Sequence, residues 1–183
     1  MRQWFSLSAI GHDHPGFVAD LAELIYEHDC NLEDSSMTIL GGEFAVLLLL
    51  SGQGDDLERR LSVACKRLEW EKRLTVFIRP LEGEPVPYGS SERFREYELQ
   101  ATGVDKAGIV ARIARCLANC GINISQMETH SRPEPGSGTS IYTMHLRMAV
   151  PEHLGIATLH EQLEQIADAL HIHIDLAPLA GNG

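Results

Sequence analysis

The sequence predicts an α+β protein that contains two copies of one βαββαβ unit in tandem. The first observation is an internal repeat, because Gly11–Ala19 and Gly103–Ala111 lie 92 positions apart and keep glycine, aspartate and apolar positions in step. The same offset pairs Asn31 with Asn123. The second observation is that each copy alternates stretches of strand period with stretches of helical period. Together these patterns indicate a duplicated domain.

The elements of the first copy follow from its residue pattern. Residues 5–9 alternate apolar and polar side chains, which is typical of a strand. After Gly16, apolar residues recur at helical spacing, and the helix should end near Asp29, where a left-handed residue is tolerated. A tight hairpin turn is expected at Gly41-Gly42. The remaining elements are predicted as strands over 31–40 and 44–51, a helix over 55–70 and a closing strand over 75–79.

The second copy repeats this order with a larger hairpin. Residues 132–139 are rich in Pro and Gly, which predicts a mobile flap outside strand geometry. A Pro-, Gly- and Ser-rich stretch predicts a linker over 82–93 between domains over 1–81 and 94–183. The element order is the ferredoxin-like arrangement, with antiparallel sheets and both helices on one sheet face.

The third strand of each copy predicts a different environment for the outer sheet face. Phe44–Leu50 is apolar at both alternating sets of positions, whereas a half-solvated antiparallel strand should alternate. We therefore expect protein to cover this face in the first copy, through domain pairing or a homo-oligomer. Tyr142–Met148 alternates with polar residues, which predicts a wetter outer face in the second copy.

Composition excludes several classes of function. The net charge is −11 with 15 Lys and Arg, which disfavours direct nucleic-acid binding. No segment has the run of apolar residues that a membrane span requires, and the first residues lack an apolar signal-peptide region. We therefore expect a cytoplasmic protein with no cofactor, whose cysteines are reduced thiols.

The turn and the asparagine together resemble the ACT domain family. Asp13-His14-Pro15-Gly16 with Asn31 fits the family pattern of Asp-x-Pro-Gly followed by Asn, and the second copy departs from it only at Ala107. Two such domains in one chain resemble the glycine cleavage system transcriptional repressor group. The resemblance implies amino-acid or other small-ligand sensing. It also implies regulation through a protein partner, such as a DNA-binding regulator.

The turn itself is chemically suited to an amino acid. A helix N-terminus presents unpaired N–H groups to a carboxylate, an Asp side chain accepts from an ammonium group, and an Asn amide offers both donors and an acceptor. The alternative is structural: the aspartates cap helices, and the glycines only permit close packing. The candidate ligand-binding residues are Gly11, Asp13, His14, Pro15, Gly16 and Asn31 in the first copy and Gly103, Asp105, Lys106, Gly108 and Asn123 in the second.

Other polar groups remain open to more than one interpretation. His145, His171, His173 and Asp175 are expected on the wetter outer face of the second copy, as a polar strand face or as metal ligands. His12 with His14 in the first turn, and Cys116 with Cys120 on one predicted helix face, pose the same question, and we assign no metal to any of these groups.

The sequence favours a non-enzyme. It contains no nucleophile elbow, no Walker loop and no dinucleotide fingerprint, and we identify no catalytic residue. An alternative to the transcriptional role is a regulatory subunit that docks on a metabolic enzyme. A less favoured alternative is an enzyme of unknown type whose catalytic groups converge only in space. Basic residues concentrate between Leu57 and Arg73, which suggests either a solvated helix face or a site for a partner.

Overall fold

The computed structural model describes residues 2–86 and 93–179. The chain divides into two compact units, Met1–Val86 and Pro87–Gly183. Of the predicted linker over 82–93, residues 82–86 and 93 lie outside helices and strands. The rest of the predicted linker lies outside the described residues. The first unit contains β1 Arg2–His12, α1 Phe17–Glu27, β2 Cys30–Leu40, β3 Glu43–Gln53, α2 Leu57–Lys72 and β4 Thr75–Leu81.

The second unit repeats the same order of elements. It contains β5 Phe94–Val104, α3 Ile109–Asn119, β6 Asn123–Pro133, β7 Ser140–Pro151, α4 Ile156–Leu170 and β8 Ile172–Pro178.

Each unit forms one four-stranded antiparallel sheet. The strand orders are β2-β3-β1-β4 and β6-β7-β5-β8, so the first strand of each copy lies inside its sheet and the second lies at an edge. Both edge strands carry an irregularity at the same place, after Leu32 in β2 and after Ile124 in β6. The predicted tandem ferredoxin-like fold is confirmed.

One sheet face and the two helices enclose the core of each unit. In the first unit, Phe5 and Leu7 of β1 pack with Leu50 of β3 and with Leu57 and Leu61 of α2, all of them fully buried. Burial of one such side chain contributes about 1.5–3 kcal/mol, so these positions fix the face on which the helices lie. In the second unit, the equivalent cluster includes Leu99, Ile113, Leu117, Leu146 and Leu159.

The end of α1 and the first hairpin have the predicted backbone, and the end of α3 has the same form as the end of α1. Asp29 has φ 54° after α1 and Gly121 has φ 69° after α3, so both residues are left-handed. Gly41 and Gly42 have φ 61° and 85°, and two consecutive positive φ angles match the tight turn that connects twisted strands.

The second hairpin differs from its prediction. Arg132 and Pro133 continue β6 and pair with Ile141 and Ser140, so the flap does not begin at Arg132. A proline is tolerated here because β6 is an edge strand and Pro133 is its last residue. The loop over 134–139 is closed by hydrogen bonds, among them one from the Glu134 N–H to the Thr139 carbonyl at 2.8 Å.

The outer sheet face of the second unit is polar, as its strand pattern predicts. His145 and Arg147 of β7 are exposed, which confirms the wetter face. In the first unit, Ile10, Leu47 and Phe77 are at least half exposed on the sheet face opposite the helices. Coverage of that face by protein remains a prediction. Among the described residues, no helix is both long and apolar enough to cross a membrane.

Candidate functional site

The glycine that ends each predicted motif is the residue before a helix. Gly16 and Gly108 are the N-caps of α1 and α3, with φ 109° and 96°, and neither helix receives a side-chain capping hydrogen bond. Asp13 and Asp105 therefore do not act as caps. Within the described chain, the N–H groups at 17–19 and 109–111 donate to no side chain and to no other segment, which leaves two helix N-termini with donors and partial positive charge.

Both turns are held in place by the neighbouring hairpin. The Asp13 N–H donates to the Gly42 carbonyl at 2.9 Å, and the Asp105 N–H donates to the Ser140 carbonyl at the same distance. The space beside Gly16 and Gly108 is open, since a Cβ atom added to either would meet nothing within 4 Å. Each turn thus presents a fixed and accessible helix N-terminus.

Residues with hydroxyl groups lie near the second turn, on the adjacent strands β6 and β7. Ser131 Oγ of β6 donates to Asp105 Oδ2 at 2.6 Å. Tyr142 of β7 lies directly opposite Ser131 in the sheet, and its hydroxyl oxygen is enclosed without a hydrogen-bond partner among the described residues. Thr129 points to the same side two residues before Ser131. The Asp105 carboxylate and the Ser131 hydroxyl thus lie together beside the turn before α3, and Tyr142 and Thr129 lie on the same side of the neighbouring strands.

The surroundings of the Tyr142 hydroxyl raise its pKa. Burial raises the pKa of Tyr142, and the negative charge of Asp105 acts in the same direction. A contact with Thr129 lowers the pKa, although this contact falls short of hydrogen-bond geometry. The phenol therefore stays protonated at neutral pH and remains a hydrogen-bond donor.

The first turn has apolar and aromatic neighbours instead. Register places Ile39 and Phe44 where the second unit has Ser131 and Tyr142. The Phe44 ring centroid lies 5.6 Å from that of Phe17, and the His14 ring centroid lies 3.6 Å from that of Phe17. With Ile39 and Phe44 at these positions, the first turn lacks hydroxyls equivalent to those of Ser131 and Tyr142.

Two residues of the predicted motifs have structural contacts of their own. Lys106 Nζ donates to the Leu170 carbonyl at 3.3 Å, which satisfies a carbonyl at the end of α4. His14 Nδ1 lies 2.9 Å from the carbonyl oxygen of Pro15 and holds the turn locally. Neither contact prevents ligand binding, and the role of both residues as ligands remains a prediction.

Gly11 and Gly103 lie where strands approach closely. A Cβ atom on Gly11 would lie 2.5 Å from Leu74 Cδ2, and one on Gly103 would lie 2.6 Å from Ile172 Cγ2 and 3.1 Å from its Cα. Both distances are shorter than van der Waals contact. These glycines therefore permit packing against the segment that follows the second helix, which is the structural alternative for this pair.

The asparagines do not join the turns of their own units. Asn31 pairs with Ser51, which lies opposite Trp4, whereas the turn follows Gly11 and His12. Seven residues of β1 separate these levels, which is about 23 Å at roughly 3.3 Å per residue. Asn123 has the equivalent position beside Ala149. The turn and the asparagine of one copy therefore do not contact the same small ligand within that copy, and the role of Asn31 and Asn123 as ligand residues remains a prediction.

Thr129, Ser131 and Tyr142 are not among the ligand-binding residues that the sequence motif predicts. The repeat offset that pairs Gly11 with Gly103 also pairs Met37 with Thr129 and Ile39 with Ser131. A comparison of the copies at that offset shows apolar residues replaced by polar ones on one side of a strand. Tyr142 is harder to find, because the larger second hairpin changes the offset before it.

The described residues contain no group of three or more His, Cys, Asp or Glu side chains that could hold a metal ion. His171 ends α4 with φ 55°, so it precedes β8, whereas His173 and Asp175 lie within that strand. Cys116 and Cys120 both direct their sulfur atoms toward Gln162 Oε1, at 3.5 and 3.3 Å. Burial raises the pKa of the Cys116 thiol, which disfavours the thiolate that metals bind.

The fold, the repeated turn and the sequence define a class of regulatory domain. Residues 3–77 match the ACT domain family, and residues 92–173 match it a second time. The chain belongs to this family and carries two ACT domains in tandem.

Its relatives include regulators of the same architecture. The chain is 25% identical over 153 residues to the glycine cleavage system transcriptional repressor of Escherichia coli, a match that covers 80% of this chain and 74% of that protein. A crystal structure of an unknown protein from Galdieria sulphuraria shares 30% identity with a TM-score of 0.84, covering 98% of this chain and 100% of that one. A crystal structure described as a putative glycine cleavage system transcriptional repressor has a TM-score of 0.73 at 19% identity, with 99% of both chains covered, and it shows the fold.

Proposed function

We propose that this protein is a regulatory amino-acid sensor whose ligand binds at the turn before α3 in the second ACT domain. The observation that carries the proposal is the Ser131–Asp105 hydrogen bond beside the uncapped N-terminus of α3. The N–H groups of Ile109 and Val110 are suited to the carboxylate of the ligand. The free oxygen of Asp105 is suited to its ammonium group.

The groups around this turn match both charged ends of an amino acid. Ser131 holds Asp105 through Oδ2 at 2.6 Å, and among the described residues Oδ1 accepts no hydrogen bond. The open space beside Gly108 allows a small ligand to approach the backbone.

The regulatory effect runs through a protein partner. Net charge of −11 opposes direct contact with DNA phosphates. The Escherichia coli relative is a transcriptional repressor by name. We therefore propose that ligand binding changes the affinity of this protein for a DNA-binding regulator of amino-acid metabolism, without direct DNA binding.

A thermal-shift screen of the wild-type chain against the common amino acids tests the proposal. A ligand at 100 times its dissociation constant adds about 2.7 kcal/mol to the free energy of unfolding, which is a clear rise in melting temperature. We expect glycine or another small amino acid to give this rise, and Asp105→Asn to reduce it while Asp13→Asn does not. The absence of any shift with all amino acids at millimolar concentration would contradict the proposal.

Affinity capture with the identified amino acid present and absent then tests the partner. Recovery of a DNA-binding regulator supports the transcriptional role. Recovery of a metabolic enzyme in its place supports a regulatory subunit and contradicts the transcriptional role. Direct retention of the purified chain on duplex DNA at 150 mM salt would contradict the indirect mechanism.

A further inference from the structure

The helices of the first unit expose four large apolar side chains to solvent. Val18 and Tyr26 on α1 are 56% and 82% exposed, and Val63 and Trp70 on α2 are 66% and 87% exposed. The helices α3 and α4 have the same positions in the second unit and carry no exposed large apolar side chain. The fold therefore does not require these residues, and their exposure is specific to the first helix layer, which consists of α1 and α2.

A cleft of about 620 Å³ opens on this helix layer, beside Val63. Arg59, Arg60 and Arg67 line it. The Arg59 and Arg67 guanidinium groups reach carboxylates of their own segment only at 3.5 and 4.0 Å, and Arg60 has no ion pair among the described residues. Tryptophan and arginine are the residue types that dominate the buried centres of protein interfaces.

The charges of the helices are inverted between the two units. The first helix α1 carries three acidic residues and no Lys or Arg, whereas its counterpart α3 carries two arginines and no acidic residue. The second helix α2 carries five basic and three acidic residues, whereas its counterpart α4 carries three acidic residues and no Lys or Arg. The net charge of each helix in one layer is thus opposite in sign to the net charge of its counterpart in the other layer.

We propose that the first helix layer docks on the second helix layer, α3 and α4, of another copy of this chain. In this contact α1 faces α3 and α2 faces α4, so that both pairs of helices carry opposite charges. Contact between two first helix layers with α1 on α1 and α2 on α2 places like charges together on both helix pairs, which opposes association. The crossed arrangement, α1 on α2 of the second copy, also pairs opposite charges but leaves α4 outside the contact, so dimerisation of the α4 variant as tightly as the wild type would identify it and contradict the proposal. When two copies make the contact reciprocally, the assembly closes as a two-fold dimer.

The proposed contact uses the helix surfaces and not the turns, so it does not depend on the amino-acid site. It explains the exposed Trp70 and the basic character of α2 in an acidic chain. The contact depends on charge, so the dissociation constant should rise with salt concentration.

Two charge-reversal variants test the contact by sedimentation equilibrium. One carries Arg60→Glu and Arg67→Glu on α2, and the other carries Glu161→Arg and Glu164→Arg on α4. We expect the wild type to dimerise and each variant alone to dimerise at least about 100-fold more weakly, because like charges then face each other. A mixture of the two variants should form a mixed dimer, since both helix pairs regain opposite charges.

A wild type that is monomeric at every concentration, or variants that dimerise as tightly as the wild type, would overturn the proposal. Failure of the mixture to associate would also overturn it. Circular dichroism and thermal melting of each variant show whether it is folded before it is mixed. Amino-acid titration of the α2 variant should match the wild type, which separates failure of this contact from failure of the proposed ligand site.

Phe77→Ala is the matched control. Phe77 is 63% exposed and lies on the outer sheet face of the first unit, which is the competing apolar surface. We expect Trp70→Ala to weaken dimerisation about tenfold and Phe77→Ala to leave it unchanged. If Phe77→Ala dissociates the dimer and Trp70→Ala does not, the interface is the sheet face and the proposal is wrong.

Discussion

The Ser131 hydroxyl donates a 2.6 Å hydrogen bond to Oδ2 of Asp105, and this bond links the edge strand β6 to the turn before α3. The first unit has no such link, because Ile39 takes the place of Ser131. The two turns have the same backbone conformation at Gly16 and Gly108 but different side chains beside them. We therefore expect a division of labour, in which the second turn binds ligand and the first, which has aromatic neighbours, does not.

Asp105→Asn should weaken amino-acid binding at least about tenfold, because a hydrogen bond to a charged group contributes about 1.5–3 kcal/mol. Ser131→Ala should weaken it less, since the carboxylate remains but loses its orientation. Isothermal titration calorimetry measures both effects. Asp13→Asn is the control at the equivalent position of the first turn. Equal losses for Asp13→Asn and Asp105→Asn would contradict the division between the copies.

Tyr142→Phe should leave the free energy of unfolding unchanged or raise it by up to about 1 kcal/mol. The reason is that the variant removes an enclosed hydroxyl without a partner, and such a group carries a desolvation cost. The same variant should leave ligand binding nearly unchanged, because the enclosed hydroxyl is not accessible to a ligand. Urea denaturation and calorimetry measure the two quantities. A loss of stability of more than about 1 kcal/mol would show that the hydroxyl has a partner within the protein.

Gly103→Ala should destabilise the second domain by about 1–3 kcal/mol, because the new methyl group would overlap Ile172 near its backbone. Gly11→Ala should cost less, because its nearest contact is the flexible end of the Leu74 side chain. Thermal unfolding of the two variants makes the comparison. A larger loss for Gly11→Ala would contradict the packing that we describe.

Cys65 should make stability depend on pH in the alkaline range. Burial raises the pKa of this thiol from 9.0 to about 11. The folded state then holds its proton more tightly than the unfolded state does. The contribution of this proton is complete below about pH 9 and is lost as the pH rises toward 11, up to about 2 kcal/mol in total. Urea denaturation between pH 8 and 11 should show this decline in the wild type, and a smaller decline in Cys65→Ala.

The order of elements was predictable from the sequence because apolar periodicity and the repeat agree at every level. Phe5, Leu7 and Leu61 are buried where the periodicity places them. The length of the second hairpin loop was less predictable. Pro133 suggests that the strand ends before it, but β6 is an edge strand and tolerates a proline.

The candidate site was only partly predictable. The turn and its glycines follow from the motif, yet Asn31 lies at the other end of the sheet, since α1 returns the chain before β2 begins. Ser131 and Tyr142 come near Asp105 through strand pairing between distant residues. Such pairing depends on register, which a single local motif does not specify.

The most direct test of the central claim is a two-dimensional ¹⁵N–¹H NMR titration with the amino acid that stabilises the chain. We expect the largest shifts at the amides of Gly108, Ile109 and Val110, and little change at Gly16, Phe17 and Val18. Equal shifts in both turns, or shifts confined to the first turn, would contradict a ligand site in the second ACT domain.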